Sequence, residues 1–133
     1  MHLARNEKLL DTLSPIGDNS KVKPVDFHKK AREVVREFSK PIRRELGEAL
    51  LKLQQGMHLL LPLSRPMPSI HSGAHELRLR DEAGIYRAFY YTKSERGVLV
   101  FHAFVKKTQE TPDSEIALGR KRLREMLSHE KNT

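Results

Sequence analysis

The sequence contains no cysteine and no tryptophan, and its aromatic side chains are three tyrosines and five phenylalanines in 133 residues. Without cysteine there is no disulfide scaffold, no thiolate-held zinc and no thiol nucleophile, and the composition suits a reducing compartment. Long apolar runs are missing too. The longest uncharged one, residues 53–64 (LQQGMHLLLPLS), is broken by Gly56 and Pro62 and falls short of the ~20 residues a membrane helix needs. The opening MHLARNEKLLD lacks the apolar stretch of a secretory signal. A cytoplasmic location and no membrane partner are expected. No phosphate-cradling glycine loop, G-x-S-x-G elbow or paired-carboxylate site is present. HSGAH at 71–75 spaces two histidines by four, but in a Pro/Gly loop without an acidic or thiol third ligand, so neither metal nor cofactor is expected.

Negative charge is in deficit: 17 Asp and Glu stand against 25 Lys and Arg, a formal charge of +8. Such a surplus attracts polyanions, nucleic acid first. It is spread along the chain, with 13 basic against 8 acidic residues over 1–75 and 12 against 9 over 76–133. A binding site therefore has to come from geometry rather than from one basic segment. The length suits one domain with its own core.

Residues 1–25 combine a short helical stretch, LARNEKLLDTL, with the loop residues of SPIGDNSKVKP. They are expected to form a flexible or docking extension. From Asp26 the pattern turns helical. Asp26 is the candidate N-cap, and Phe27, Ala31, Val34, Val35 and Phe38 fall on one helical stripe. Ser39 is a second N-cap candidate with Pro41 tolerated in the first turn. Ile42, Leu46, Ala49, Leu50 and Leu53 continue the stripe to a stop at Gly56. The span Asp26–Gly56 thus predicts a helical hairpin. Pro62, Pro66 and Pro68 forbid a regular helix or a central strand between Leu59 and Gly73.

After Ala74 the period becomes two. HELRLRD, IYRAFYYT at 85–92 and VLVFHAFV at 98–105 predict three strands joined by turns at DEAG (81–84) and KSERG (93–97). Asp113 or Ser114 then caps a last helix, with Ile116, Leu123, Met126 and Leu127 inward and Arg120, Lys121, Arg122 and Arg124 outward. The order helix, helix, strand, strand, strand, helix predicts an α+β layer pair with residues 26–133 as one domain. Leu77 and Leu79 should face the helices, which leaves Arg78 and Arg80 on the open face. Pairing Arg80 with Ile85 adds Arg87 and Phe89 to that face. Three arginines there repel one another unless an anion sits among them, and the planar guanidinium suits phosphate. In the third strand two registers stay open, placing either His102 or Ala103 opposite Arg87. Lys106 and Lys107 emerge at its end. His102, within an apolar strand, is by default a packed histidine and otherwise a proton-transfer candidate. Tyr86 and Tyr91 belong to an aromatic set that is mainly core, from which one or two rings could stack on RNA bases.

The segments SRPMPSI (64–70), HELRLRD, GIYRAFYYT, VLVFHAFVKKTQETP and EIALGRKRL together resemble the HigB-type branch of the RelE/ParE toxin superfamily, which includes phage-derived host-killing toxins. The resemblance runs from Phe27 to Leu127. It implies a RelE-like fold, a helical hairpin on a small, mainly antiparallel sheet with a C-terminal helix. It also implies the toxin of a type II toxin–antitoxin system. Such toxins are ribosome-dependent mRNA interferases, endoribonucleases that cut mRNA without metal by attack of its own 2′-hydroxyl. A helix-turn-helix antitoxin neutralises them, and operator DNA is reached only through that antitoxin. Carried onto this chain, the resemblance makes Arg87 the grip on the scissile phosphate. Arg78 and Arg80 hold RNA backbone or polarise the 2′-hydroxyl, and Lys106, Lys107 or His102 serve proton transfer. Arg65, Tyr86, Tyr91 and Arg120 complete the expected RNA-contacting set. The C-terminal tyrosine of some family members has no counterpart in EIALGRKRL. A gyrase-binding toxin on the same scaffold, or a plain RNA-binding module, are the other readings.

Overall fold

The structure, a computed structural model, describes residues 22–106 and 110–131. In chain order it has β1 (Val25–Phe27), α1 (Lys29–Arg36), α2 (Lys40–Gln54), β2 (Ser64–Pro66), β3 (Ala74–Asp81), β4 (Gly84–Ser94), β5 (Gly97–Lys106) and α3 (Asp113–Lys131). The strands form one sheet in the order β1-β5-β4-β3-β2, antiparallel throughout except for the parallel β1–β5 pair. This is the expected α+β class with a mainly antiparallel sheet. The helical stretch expected before residue 22 lies outside the described residues.

The stripe on α2 behaves as its spacing requires. Ile42, Leu46, Ala49, Leu50 and Leu53 are buried against Leu77, Leu79, Tyr90, Val98 and Val100 on one sheet face. Ser39 caps α2, its Oγ accepting from Ile42 N at 3.4 Å. The cap of α1 departs from expectation. Asp26 lies in β1, and His28 is the N-cap, its Nδ1 accepting from Lys30 N at 3.1 Å. The reason is the ladder: Val25, Asp26 and Phe27 pair with Val98, Leu99 and Val100, and His28 N donates to Val100 O. A β-branched and an aromatic residue beside a free strand edge favour pairing over another helical turn. The prolines of the 59–73 connector do as their chemistry demands, since β2 is three residues long and lies at the sheet edge.

Asp81 closes the β3–β4 hairpin. Its Oδ1 accepts from Ala83 N and Gly84 N, and its Oδ2 accepts from Ser39 Oγ at 2.8 Å. These bonds, that from Ser39 first, hold its carboxyl below the usual range. The pairs Arg80–Ile85 and Arg78–Arg87 are as expected. Next to the turn the β4–β5 register is the second of the two left open, but it does not carry through to Arg87. Tyr91 pairs with Leu99 and Tyr90 with Val100, but Phe89 pairs with His102 and Arg87 with Phe104. The extra residue, Phe101, forms a β-bulge. Its consequence is that His102, Phe104 and Lys106 share the face of Arg87.

That face is not left open. α3 covers part of it, with Leu123 and Met126 packing into a second core with Phe89, Leu99 and Phe101. The architecture is three layers rather than two, and Phe89 is core. The approach is close: a Cβ on Gly119 would stand 2.7 Å from a ring carbon of Phe89. Arg122, expected outward, turns in and donates through Nη1 to His102 Nδ1 at 2.8 Å. Among the described residues no helix is long and apolar enough to cross a membrane.

Candidate functional site

Where α3 begins, its cover of the second sheet face stops and an open cleft of about 500 Å³ remains. Arg65, Glu76, Arg78, Lys106, Glu110 and Thr111 are among the residues that line it. Alternation along β3 places Glu76, Arg78 and Arg80 on this face, and the hairpin register brings Arg87 beside Arg78. At the end of β5 Lys106 pairs with Ile85. Strand β2 carries Arg65 in at the edge, opposite Glu76.

Arg87 does not line the cleft itself; it lies behind the lining residues Glu76 and Arg78 and is 4% exposed. Its Nη1 donates to Tyr86 O at 3.1 Å, while its Nε stands 3.6 Å from Glu76 Oε1, too far for a hydrogen bond. That Nε is buried with no hydrogen-bond partner among the described residues. Burial pushes the guanidinium's pKa down; Glu76 opposes this, and Arg78, Arg65 and Arg80 reinforce it. Lys106 is also buried, and its pKa is lowered first by burial, then by Arg87, against Glu76. One buried carboxylate thus faces Arg65, Arg78, Arg87 and Lys106, with Glu110 at the rim. An anion in the cleft adds negative charge close to Arg87 and Lys106, the two of these cations that burial has stripped of water.

Glu76 is the residue that sequence reasoning missed as a site member. The signal was present: alternation put a carboxylate on the same strand face as Arg78 and Arg80. Thr111, whose Oγ1 donates to Glu76 Oε2 at 2.6 Å, left no such signal, because its place depends on the path from β5 into α3.

The other expected site residues are distributed unevenly. Arg80 is exposed at the hairpin end of the same face. Lys107 lies outside the described residues. His102 is 2% exposed, 2.6 Å through Nε2 from Glu115 Oε1, with Arg122 on Nδ1. Since arginine only donates, Nδ1 accepts and Nε2 carries the proton. Both nitrogens are occupied in joining β5 to α3. Tyr86 is a correction to the expected RNA-stacking set. It lies on the opposite face, buried against Phe38 with ring centroids 5.0 Å apart, so its ring cannot reach an RNA in the cleft. Tyr91 is buried in the second core, edge-on to His71, and offers no open face either. Arg120 is exposed and donates through Nε to Ser69 O at 3.1 Å, holding α3 to the β2–β3 connector. No group of three metal-ligating residues occurs among the described residues.

Burial lowers the pKa of His102 below 6.5, Glu115 pulling it back up and Arg122 pushing it down. The unfolded chain then binds a proton at a pH where the folded one does not. This contribution is fully present above the unfolded value near 6.5, declines as pH falls below it and is lost as pH passes through the lower folded value. Melting temperatures at pH 7.5 and 5.5 are expected to show the decline, and His102→Gln to flatten it. An equal slope in the variant excludes His102 as its source.

A family model described as phage derived protein Gp49-like (DUF891) matches residues 33–124, from α1 into α3, and so spans every described cleft residue. The chain belongs to this Gp49-like family. It is a toxin-like family of the RelE/HigB type, and as a toxin family it implies an antitoxin partner. No curated protein matches the chain. The Gp49-like match covers strands β2 to β5 and the residues around the cleft, while residues 1–32, with β1, fall before it.

Proposed function

We propose that the protein is the HigB-type toxin of a type II toxin–antitoxin pair, acting in the cytoplasm as a ribosome-dependent mRNA interferase. The observation that carries this reading is the set of Arg65, Arg78, Arg87 and Lys106 around one buried carboxylate beside an open cleft. Cleavage by the RNA's own 2′-hydroxyl asks no nucleophile of the protein. It asks for positioning, charge stabilisation and a proton for the leaving group.

In this mechanism Arg87 and Arg78 hold the scissile phosphate, and Arg65 and Arg80 hold flanking backbone. The 2′-oxygen attacks phosphorus as its proton passes to water in the open cleft. The P–O5′ bond breaks, and Lys106 protonates the departing 5′-oxygen. The products are a 2′,3′-cyclic phosphate and a 5′-hydroxyl. Negative charge accumulates on the phosphate oxygens in the transition state, where fixed guanidinium donors act most strongly. His102, tied to Glu115 and Arg122, serves by keeping β5 and α3 in register. A helix-turn-helix antitoxin is the expected partner, and operator DNA is met only through it.

Induction in cells followed by mapping of mRNA 5′-hydroxyl ends tests the reading. New ends within translated frames are expected. Growth arrest with intact mRNA and damaged DNA points to the gyrase-binding alternative, and RNA binding without new ends to a plain binding module. The lowered Lys106 pKa fixes a sign. A general acid works only while protonated, so the rate is flat at low pH and falls through a midpoint below 10.5. Lys106→Ala is expected to lose that alkaline limb and about 10²–10⁴ in rate. A variant that retains the limb removes Lys106 as the acid.

A further inference from the structure

We infer that Glu76 is a positioning residue of this cleft, its carboxylate orienting Arg87 and Arg65 toward a bound phosphate while Thr111 ties the start of α3 to it. The inference rests on the phosphate reading but concerns a residue that reading gives no role.

Glutamates are rarely buried unpaired, since taking a carboxylate out of water is costly. Glu76 is 1% exposed, and its partners come from three separate parts of the chain. Arg65 Nη2 on β2 stands 3.3 Å from Oε1, and Arg87 Nε on β4 stands 3.6 Å from the same oxygen. Thr111 Oγ1, just before α3, donates to Oε2 at 2.6 Å. Each carboxylate oxygen therefore has a separate task. Oε1 draws two guanidinium groups from opposite sides, and Oε2 anchors the wall formed by the start of α3.

A proton-accepting role fits this geometry poorly. A general base must come within about 2.6–3.2 Å of the proton donor it serves. Glu76 has almost no exposed surface, and both its oxygens are engaged. Orientation fits well, because among the described residues the only other hydrogen bond from the Arg87 guanidinium is from Nη1 to Tyr86 O, with Nε unsatisfied. The remaining charged groups do not replace Glu76. Arg65, Arg78, Arg80 and Lys106 repel Arg87, Glu110 lies at the exposed rim, and Glu115 is engaged by His102.

A 2′-O-methyl RNA dodecamer, which cannot be cut by 2′-hydroxyl attack, is a suitable probe. Its dissociation constant is measured against salt by fluorescence anisotropy, with each variant's fold checked by thermal melting. On single strands each phosphate neutralised contributes about 0.7 to the log–log slope. Arg87→Ala is expected to shorten the slope by about that amount. Glu76→Gln, which keeps the shape and removes the charge, is expected to do the same, and the double variant to lose no more. A purely structural role would move the melting temperature and leave the slope unchanged. If Glu76→Gln does not fold, Glu76→Asp, which keeps the charge one methylene further back, is expected to shorten the slope by less than Arg87→Ala. A wild-type slope in the Glu76 variant, or a loss that adds to that of Arg87→Ala, overturns the inference alone. An unchanged slope in Arg87→Ala overturns the phosphate reading with it.

Discussion

Arg87→Ala is expected to fold, to bind the antitoxin and no longer to arrest growth. Its rate of mRNA cleavage is expected to fall by about 10²–10³, the loss of about 3–4 kcal/mol typical when one preorganised donor to a developing oxyanion is removed. The fold is expected to survive for a specific reason. Removing one member of a buried ion pair is most damaging when it leaves the other member uncompensated. Here Glu76 keeps Arg65 at 3.3 Å and the hydrogen bond from Thr111, so the carboxylate is not orphaned. The buried and unsatisfied Nε of Arg87 is itself a cost that its removal relieves, offsetting part of the lost packing. Colony growth on induction, 5′-end mapping and co-purification with the antitoxin are the measurements. Full toxicity in the variant ends the assignment of Arg87 to the phosphate. Arg87→Lys separates charge from shape: if the two parallel hydrogen bonds of a guanidinium are what matters, lysine does not restore cleavage.

The largest effect on stability is expected far from the cleft, at Gly97→Ala. Gly97 closes the β4–β5 turn at φ +107°, a region that L side chains rarely adopt. A Cβ there would lie 2.3 Å from the backbone oxygen of Pro24, which accepts from Val98 N at 2.9 Å just before β1. No side-chain rotation relieves a clash with backbone. The substitution must displace β1 from β5 or strain the turn, and with the conformational penalty this costs about 3 kcal/mol or more. For a domain of this size that lowers the melting temperature by about 10–20 °C. A shift below about 5 °C would mean the turn relaxes cheaply. Because β1 lies at the sheet edge opposite β2, the folded fraction is expected to cleave mRNA normally at permissive temperature.

Much of the sheet was legible in the sequence because local rules act there. Period-two alternation placed Arg78 and Arg80 on one face. The DEAG turn, through the side chain of Asp81, set a hairpin whose register brought Arg87 to Arg78. The stripe from Ile42 to Leu53 and the cap at Ser39 followed from helical spacing and from the chemistry of a hydroxyl before a proline-tolerant first turn. The reading of Asp26 as a cap failed because β5 offers a free edge, and no local propensity records that. The β4–β5 register failed for a related reason. A bulge at Phe101 changes the pairing by one residue, and Phe89, Phe101 and Phe104 pack together in the core beneath α3.

The sequence by itself determined the class of the fold, the strand face on which the arginines gather and the absence of thiol chemistry. Each depends on residue type or on a separation of a few positions. Only the tertiary structure decided which groups meet. It laid α3 over part of the arginine face, locked His102 between Glu115 and Arg122, turned Tyr86 to the other side and brought Arg65, Glu76, Arg87 and Thr111 together from four separate segments. The physical reason is that a buried carboxylate and its cations are held by packing between distant elements. The stability of that packing is a property of the whole core, and no short stretch of chain encodes it.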